Sequence, residues 1–228
     1  MAYRVKELFH TLQGEGINAG RPAVFCRFSG CNLWSGREAQ RSSATCRFCD
    51  TDFVGTDGEG GGTFEAGELA SRAAELWLGA TGVPPGRAPA SEPEDATGSR
   101  ALLVCTGGEP LLQLDAGAVD AFHRVGFEVA VETNGTIPVP PGVDWVCVSP
   151  KANSEVVVRS GDELKLVYPQ EGAEPGRFEG GEWNFTHRVL QPMDGEDLEA
   201  NTLAAARYCM AHPRWRLGIQ THKVIGIP

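Results

Sequence analysis

At 228 residues, 41% of them hydrophobic and 22% charged, the chain is long enough to bury a sizeable core, and one domain over 1–228 is expected. No apolar run reaches the roughly 18 residues needed to cross a bilayer, and the opening MAYRVKELFHTLQGEG has neither an uninterrupted apolar stretch nor a small-residue cleavage site, so a cytoplasmic protein without a membrane partner is expected. A formal net charge of −10 would repel phosphate backbones, which excludes nucleic acid as the favoured partner and leaves a small-molecule substrate.

Six β-rich runs follow in chain order: PAVFCRF at 22–28, ALLVC at 101–105, FEVAV at 127–131, DWVCV at 144–148, ELKLVY at 163–168 and HRVL at 187–190. Several are almost wholly apolar, as expected of parallel strands covered on both faces. Helical patterning occurs at 64–78 behind Thr63 as N-cap, at 116–125 between Asp115 as N-cap and Gly126, and at 196–211 before Pro213. About six parallel strands with three helices predict an α/β fold of the incomplete, TIM-like barrel kind, because a full eight-fold barrel needs about 250 residues and a helix after every strand. Segment 79–98, rich in Gly, Pro, Ala and acidic residues, is expected to be a surface insertion without chemistry.

Seven cysteines are an odd set, and in a reducing compartment they favour metal ligation over disulfides. Cys26, Cys105, Cys147 and Cys209 lie in apolar runs and are expected in the core. Cys31, Cys46 and Cys49 differ: fourteen residues separate the first two and two separate the last two. Three thiolates are one short of a closed four-ligand site, so one coordination position is left for a non-protein ligand. The same spacing also admits a structural zinc with a histidine such as His10 as fourth ligand.

Polar residues gather where the apolar strands end. TGGEP at 106–110 follows ALLVC, VETNGT at 131–136 follows FEVAV, and SPK at 149–151 follows DWVCV. Each alone reads equally as a turn, but three successive exits into ligand-capable residues predict a binding edge. Arg27 shares alternating positions with Ala23 and Phe25 on the interior face of its strand and needs an anion there, from a structural salt bridge or from a substrate carboxylate. TLQGEG at 11–16 offers amide, carboxylate and exposed backbone suited to the edge of a heterocycle, or a glycine turn.

The cysteine spacing, Phe48 inside Cys46-Arg47-Phe48-Cys49, the Gly-Gly-Glu after a strand and the ending RLGIQTHKVIGIP together resemble 7-carboxy-7-deazaguanine synthase, a radical S-adenosylmethionine (SAM) family of queuosine biosynthesis. Most of that superfamily uses Cys-x3-Cys-x2-Cys, and the longer first gap is similar to a branch of the synthases. The resemblance implies a [4Fe–4S] cluster on Cys31, Cys46 and Cys49, with SAM on the fourth iron. Reductive cleavage would give a 5′-deoxyadenosyl radical that takes hydrogen from C6 of 6-carboxy-5,6,7,8-tetrahydropterin. Ring contraction with loss of ammonia would then give 7-carboxy-7-deazaguanine, so the chain would be a carbon–nitrogen lyase.

By position the resemblance implies SAM contacts at Phe48, Gly108, Glu109, Glu132, Ser149, Pro150, Lys151, Gln191, Pro192, Met193 and Asp194. It implies substrate contacts at Leu12, Gln13, Gly14, Glu15, Arg27, Thr106 and the carboxylate of Pro228, and a Mg²⁺ ligand at Thr51, although Asp50 and Asp52 are the more obvious oxygen ligands on chemistry alone. No protein side chain is expected as a catalytic acid, base or nucleophile. An electron donor such as a flavodoxin and a homodimer are further expectations of the resemblance. The alternatives are another radical-SAM enzyme, such as a glycyl-radical activase, or a non-catalytic zinc-binding module.

Overall fold

The six apolar runs become the middle of one nine-stranded sheet in the computed structural model, which describes residues 2–86 and 100–228. In chain order the elements are β1 (Ala2–Leu12), β2 (Pro22–Phe28), β3 (Gly62–Glu65), α1 (Ala66–Thr81), β4 (Leu102–Gly107), α2 (Ala116–Arg124), β5 (Glu128–Thr133), β6 (Trp145–Val148), β7 (Ser160–Tyr168), β8 (Asn184–Pro192), α3 (Leu198–Ala211), β9 (Arg216–Leu217) and α4 (Thr221–Ile225). The spatial order is β3-β1-β2-β4-β5-β6-β7-β8-β9. All neighbours from β2 to β9 run parallel, while β1 is antiparallel to both β2 and β3. The sheet ends at β3 and β9 without closing, which is the incomplete barrel the sequence predicts.

Strand alternation sorts the side chains. Val24, Cys26 and Phe28 of β2, Leu103 and Cys105 of β4, and Val129 and Val131 of β5 face α1 and α2, where they bury Leu69, Ala73 and Phe122. Burying each large apolar side chain contributes about 1.5–3 kcal/mol. The opposite positions, Ala23, Leu102, Val104 and Ala130, form a smaller inner cluster with Phe25 and Trp145. A third cluster, around Leu164, Leu166, Leu190 and Trp215, packs Ala205 of α3 against β7 and β8.

Three strands and one helix escape the sequence pattern. β1 carries a register shift between Val5 and Glu7, and such a bulge breaks the period-2 alternation by which a strand is recognised. β3 takes residues 62–65 into pairing with β1, so α1 starts at Ala66 behind Glu65 and not behind Thr63. β9 has two residues and α4 has five, too few to show a period. Residues 79–81 of the expected insertion form the last turn of α1, and 87–98 lie outside the described residues. Cys26, Cys105 and Cys147 are buried as expected, whereas Cys209 is half-buried.

Two polar groups fasten the sheet to its cover. Asp115 caps α2 by accepting from Ala118 N at 3.0 Å, and the same oxygen accepts from the buried Tyr3 hydroxyl at 2.7 Å. Glu109 is fully buried between the ends of β4 and β5. Its Oε1 accepts from Leu111 N and from the Thr133 hydroxyl, and its Oε2 from Asn134 N.

Asp115→Ala should cost about 1–3 kcal/mol in urea unfolding, because it removes an N-cap and strands a buried hydroxyl, with Asp115→Asn recovering most of the loss. Glu109→Gln should cost a similar amount, on the order of 1–3 kcal/mol, since its amide nitrogen must face a backbone N–H whichever way it turns. Urea midpoints equal to wild type would show that these bonds contribute nothing.

Candidate active site

The inner-face positions turn polar toward the strand ends. Thr106 on β4, Glu132 on β5, Ser149 beyond β6, Lys165 on β7 and Gln191 on β8 all line one cavity of about 370 Å³ at the C-terminal edge of the parallel strands. Register explains the convergence: Arg27 pairs with Thr106, Glu132 with Cys147, and Val167 with Gln191, so the same parity faces inward in each strand.

Cys31, Cys46 and Cys49 share this wall with Phe48. Leu33 N donates to Cys31 Sγ at 3.4 Å. The Cys46 thiol shares a hydrogen bond with the Cys49 sulfur, which together with burial pushes Cys46 up; the same hydrogen bond draws Cys49 below the usual thiol range. Burial raises Cys31. Gly108 abuts them, and a Cβ there would strike the Gly30 carbonyl oxygen and Cys31 Cβ, so only glycine allows β4 to end so near the loop. Lys151 donates from Nζ to Ser149 O at 2.7 Å and to Ser149 Oγ at 2.6 Å, and burial lowers its affinity for the proton.

His10 is not with the cysteines. It lies opposite Val24 on the helix-facing side, its ring edge-on to Trp77 of α1 at 5.6 Å, and its buried Nε2 has no partner among the described residues. The expectation of His10 as a fourth ligand is thus corrected by strand parity, while His222 is the histidine that lines the cavity with the cysteines.

The opposite wall is built from both ends of the chain. Leu12, Gln13, Gly14 and Glu15 line it together with Gln220, His222, Lys223 and Pro228. Thr221 N and its hydroxyl both donate to Gly14 O, Gln220 Nε2 donates to Glu15 Oε1 at 2.8 Å, and the Thr11 hydroxyl donates to Pro228 O at 2.9 Å. Lys165 reaches Glu15 at 2.6 Å and Glu132 at 3.2 Å. Burial alone would raise Glu15, but the Lys165 ammonium and the Gln220 amide hold it well below the usual carboxylate range. Gln13 spends its side chain on Glu132 and on the Glu15 amide.

Arg27 lines the cavity, yet the anion at its Nε is Glu7, directly across the β1–β2 pair at 2.6 Å. Its two Nη groups have no protein partner among the described residues. Thr51 also lines the cavity between two carboxylates that are already occupied: Asp50 pairs with Lys223 at 2.5 Å, and Asp52 with Lys6 at 3.0 Å. Pro192 and Asp194 reach the cavity, and Asp194 accepts from Lys223 at 2.6 Å.

Three expected contacts stand behind the wall. Glu109 turns its carboxylate into the protein, where burial raises its pKa against the bonds it accepts. Pro150 and Met193 are not on the cavity surface; Met193 instead bonds to Tyr168 O and accepts from Asn201 Nδ2 through its backbone. Sequence reasoning missed Glu7, Lys6, Lys165, Gln220, His222 and Lys223. Of these, Lys165 left a signal, a cation at an alternate position of the apolar run ELKLVY.

No protein-family model matches the chain. Full-length relatives do. The chain is 58% identical over 229 residues to the 7-carboxy-7-deazaguanine synthase of Caulobacter vibrioides, with all of both chains covered. It is 57% identical, again over all of both chains, to the synthase of Bordetella pertussis. The crystal structure of QueE from Escherichia coli superposes with a TM-score of 0.66 at 25% identity, covering 97% of this chain and 95% of that one. With a similar fold and identity sustained from end to end, the chain belongs to the 7-carboxy-7-deazaguanine synthase family.

Proposed function

We propose that the chain converts 6-carboxy-5,6,7,8-tetrahydropterin to 7-carboxy-7-deazaguanine with release of ammonia, using SAM and a [4Fe–4S] cluster held by Cys31, Cys46 and Cys49. The observation that carries this reading is that these three cysteines and Pro228, from opposite ends of the chain, line one cavity.

The donor set fits the cluster. Three thiols face a cavity, and among the described residues no three His, Cys, Asp or Glu side chains converge on a single ion. A mononuclear zinc needs such convergence, whereas a four-iron cluster spreads its ligands over separate irons. When bound, cluster and SAM would supply hydrogen-atom abstraction at C6 of the substrate.

The chain's own residues then bind and orient. The free Nη groups of Arg27 suit the substrate carboxylate in a charge-assisted pair, with Glu7 holding the guanidinium at Nε. Glu15, kept ionised by Lys165, accepts from N–H donors on the heterocycle, as does the Pro228 carboxylate held by Thr11. Thr106, Leu12, Gln13 and Gly14 complete the substrate wall. Phe48, Gly108, Glu132, Ser149, Lys151, Gln191, Pro192 and Asp194 form the part of the cavity suited to SAM. Glu109, Pro150 and Met193 support that wall from behind.

Thr51 would offer Mg²⁺ a neutral hydroxyl oxygen at the cavity, beside Asp50 and Asp52, which are paired with Lys223 and Lys6. A flavodoxin-type electron donor and a homodimer complete the proposal. No described helix is long and apolar enough to cross a membrane.

Anaerobic protein given SAM, dithionite and the carboxytetrahydropterin should form the deazaguanine product. Alanine at any one of Cys31, Cys46 and Cys49 should abolish SAM cleavage, and wild-type turnover in one of these variants would overturn the cluster assignment. Arg27→Ala should weaken substrate binding by on the order of 2–5 kcal/mol while SAM affinity holds; an equal loss of both affinities would make Arg27 structural. A short extension after Pro228 should lower turnover at subsaturating substrate where an N-terminal tag does not. Equal rates for the two tagged forms would remove the terminus from the site.

A further inference from the structure

The fourteen residues between Cys31 and Cys46 are a built structure. Leu33 O accepts from both Thr45 N at 3.1 Å and Cys46 N at 3.3 Å, which closes the neck of the loop beside the second cysteine. Trp34 is buried in it, edge-on to Phe53 at 5.6 Å. A 3-10 turn at Glu38–Ser43 presents Arg41 back across the loop. The Arg41 guanidinium carbon lies 4.1 Å from the centre of the Trp34 ring. Its Nε pairs with Glu38 at 2.8 Å, and its Nη1 donates to Arg47 O at 2.9 Å and Cys49 O at 3.0 Å.

One side chain thus stacks on the loop's buried aromatic and grips two carbonyls of the turn that contains Cys46 and Cys49. A three-residue spacing between the first two cysteines would limit by covalent geometry where the thiols can go; a fourteen-residue spacing does not. A planar fork with fixed donors is suited to restoring that limit, and a lysine is not, because it cannot both stack and bond two acceptors.

We propose that Arg41 is a positioning residue that fixes the Cys46–Cys49 turn for the iron–sulfur cluster; this rests on the cluster reading above. Outer partners of metal ligands typically matter by about 10–100-fold in metal affinity.

The test compares wild type, Arg41→Ala, Arg41→Lys and Arg37→Ala, the last removing an exposed cation of the same loop whose guanidinium has no partner among the described residues. Each protein is reconstituted anaerobically, assayed for iron and sulfide per chain, and challenged with a chelator while the thiolate-to-iron band at about 400 nm is followed. Arg41→Ala should lose its cluster at least about tenfold faster than wild type. Arg41→Lys should fall between them, and Arg37→Ala should match wild type, with the melting temperatures of the cluster-free proteins equal. Wild-type kinetics in Arg41→Ala, or cluster loss that tracks a lowered melting temperature of the cluster-free protein, would overturn the proposal. Wild-type protein that takes up no iron or sulfide would instead overturn the cluster reading and this inference with it.

Discussion

The buried ammonium of Lys165 ties the walls of the cavity together. Lys165 projects from the middle of the parallel sheet, where burial by itself would drive off its proton, and Glu132 and Glu15 hold it charged. The pair partners come from different places: Glu132 from a strand two places away in the sheet, and Glu15 from the loop after β1. Through Glu15 the bond passes on to Gln220 and so to the C-terminal segment. Breaking one partner of such a group leaves an uncompensated buried charge, typically a cost of about 3–5 kcal/mol. Glu163, two residues earlier on the same face, is pushed toward its neutral form by burial, and its Oε1 has no partner among the described residues. Lys165 therefore stands between two carboxylates at the cavity, with a third carboxyl, Glu163, behind it.

How much of this was legible follows from where the signal is local. The apolar runs at 101–105 and 127–131 announce parallel strands because both faces are covered, and Asp115 announces α2 because a cap acts within three residues. β1 was unreadable because its bulge interrupts the alternation, and β9 because two residues carry no period. The cysteine spacing could be read from sequence as an open metal site, whereas the ion pairs that shape the cavity join residues far apart in the chain. Arg27 shows the limit clearly: its interior parity was legible, but Glu7, its partner across the strand pair, required the register.

Glu109 shows a different limit. A carboxylate after two glycines at a strand end looks like a ligand, yet three donors from two adjacent loops turn it inward. Sequence marks the position as special without saying which way the side chain points. In the same manner the ion pairs of Asp50 with Lys223 and of Asp52 with Lys6 could not be read from sequence, because folding brings the partners together.

The wall shared by the two ends of the chain has a kinetic corollary. The bonds from Thr11 to Pro228, Thr221 to Gly14 and Gln220 to Glu15 span 217, 207 and 205 residues. Made first, contacts of that separation would carry a large loop-closure cost, which falls once the sheet has brought β1 and β9 into one structure. The parallel sheet, assembled from nearer neighbours, can stand without them. The wall at residues 12–15 is therefore expected to assemble after the sheet, and α4 beside it has no buried residue of its own. A ligand held between residues 12–15 and the C-terminal segment would therefore bridge the two ends of the sequence alongside the hydrogen bonds that already join them.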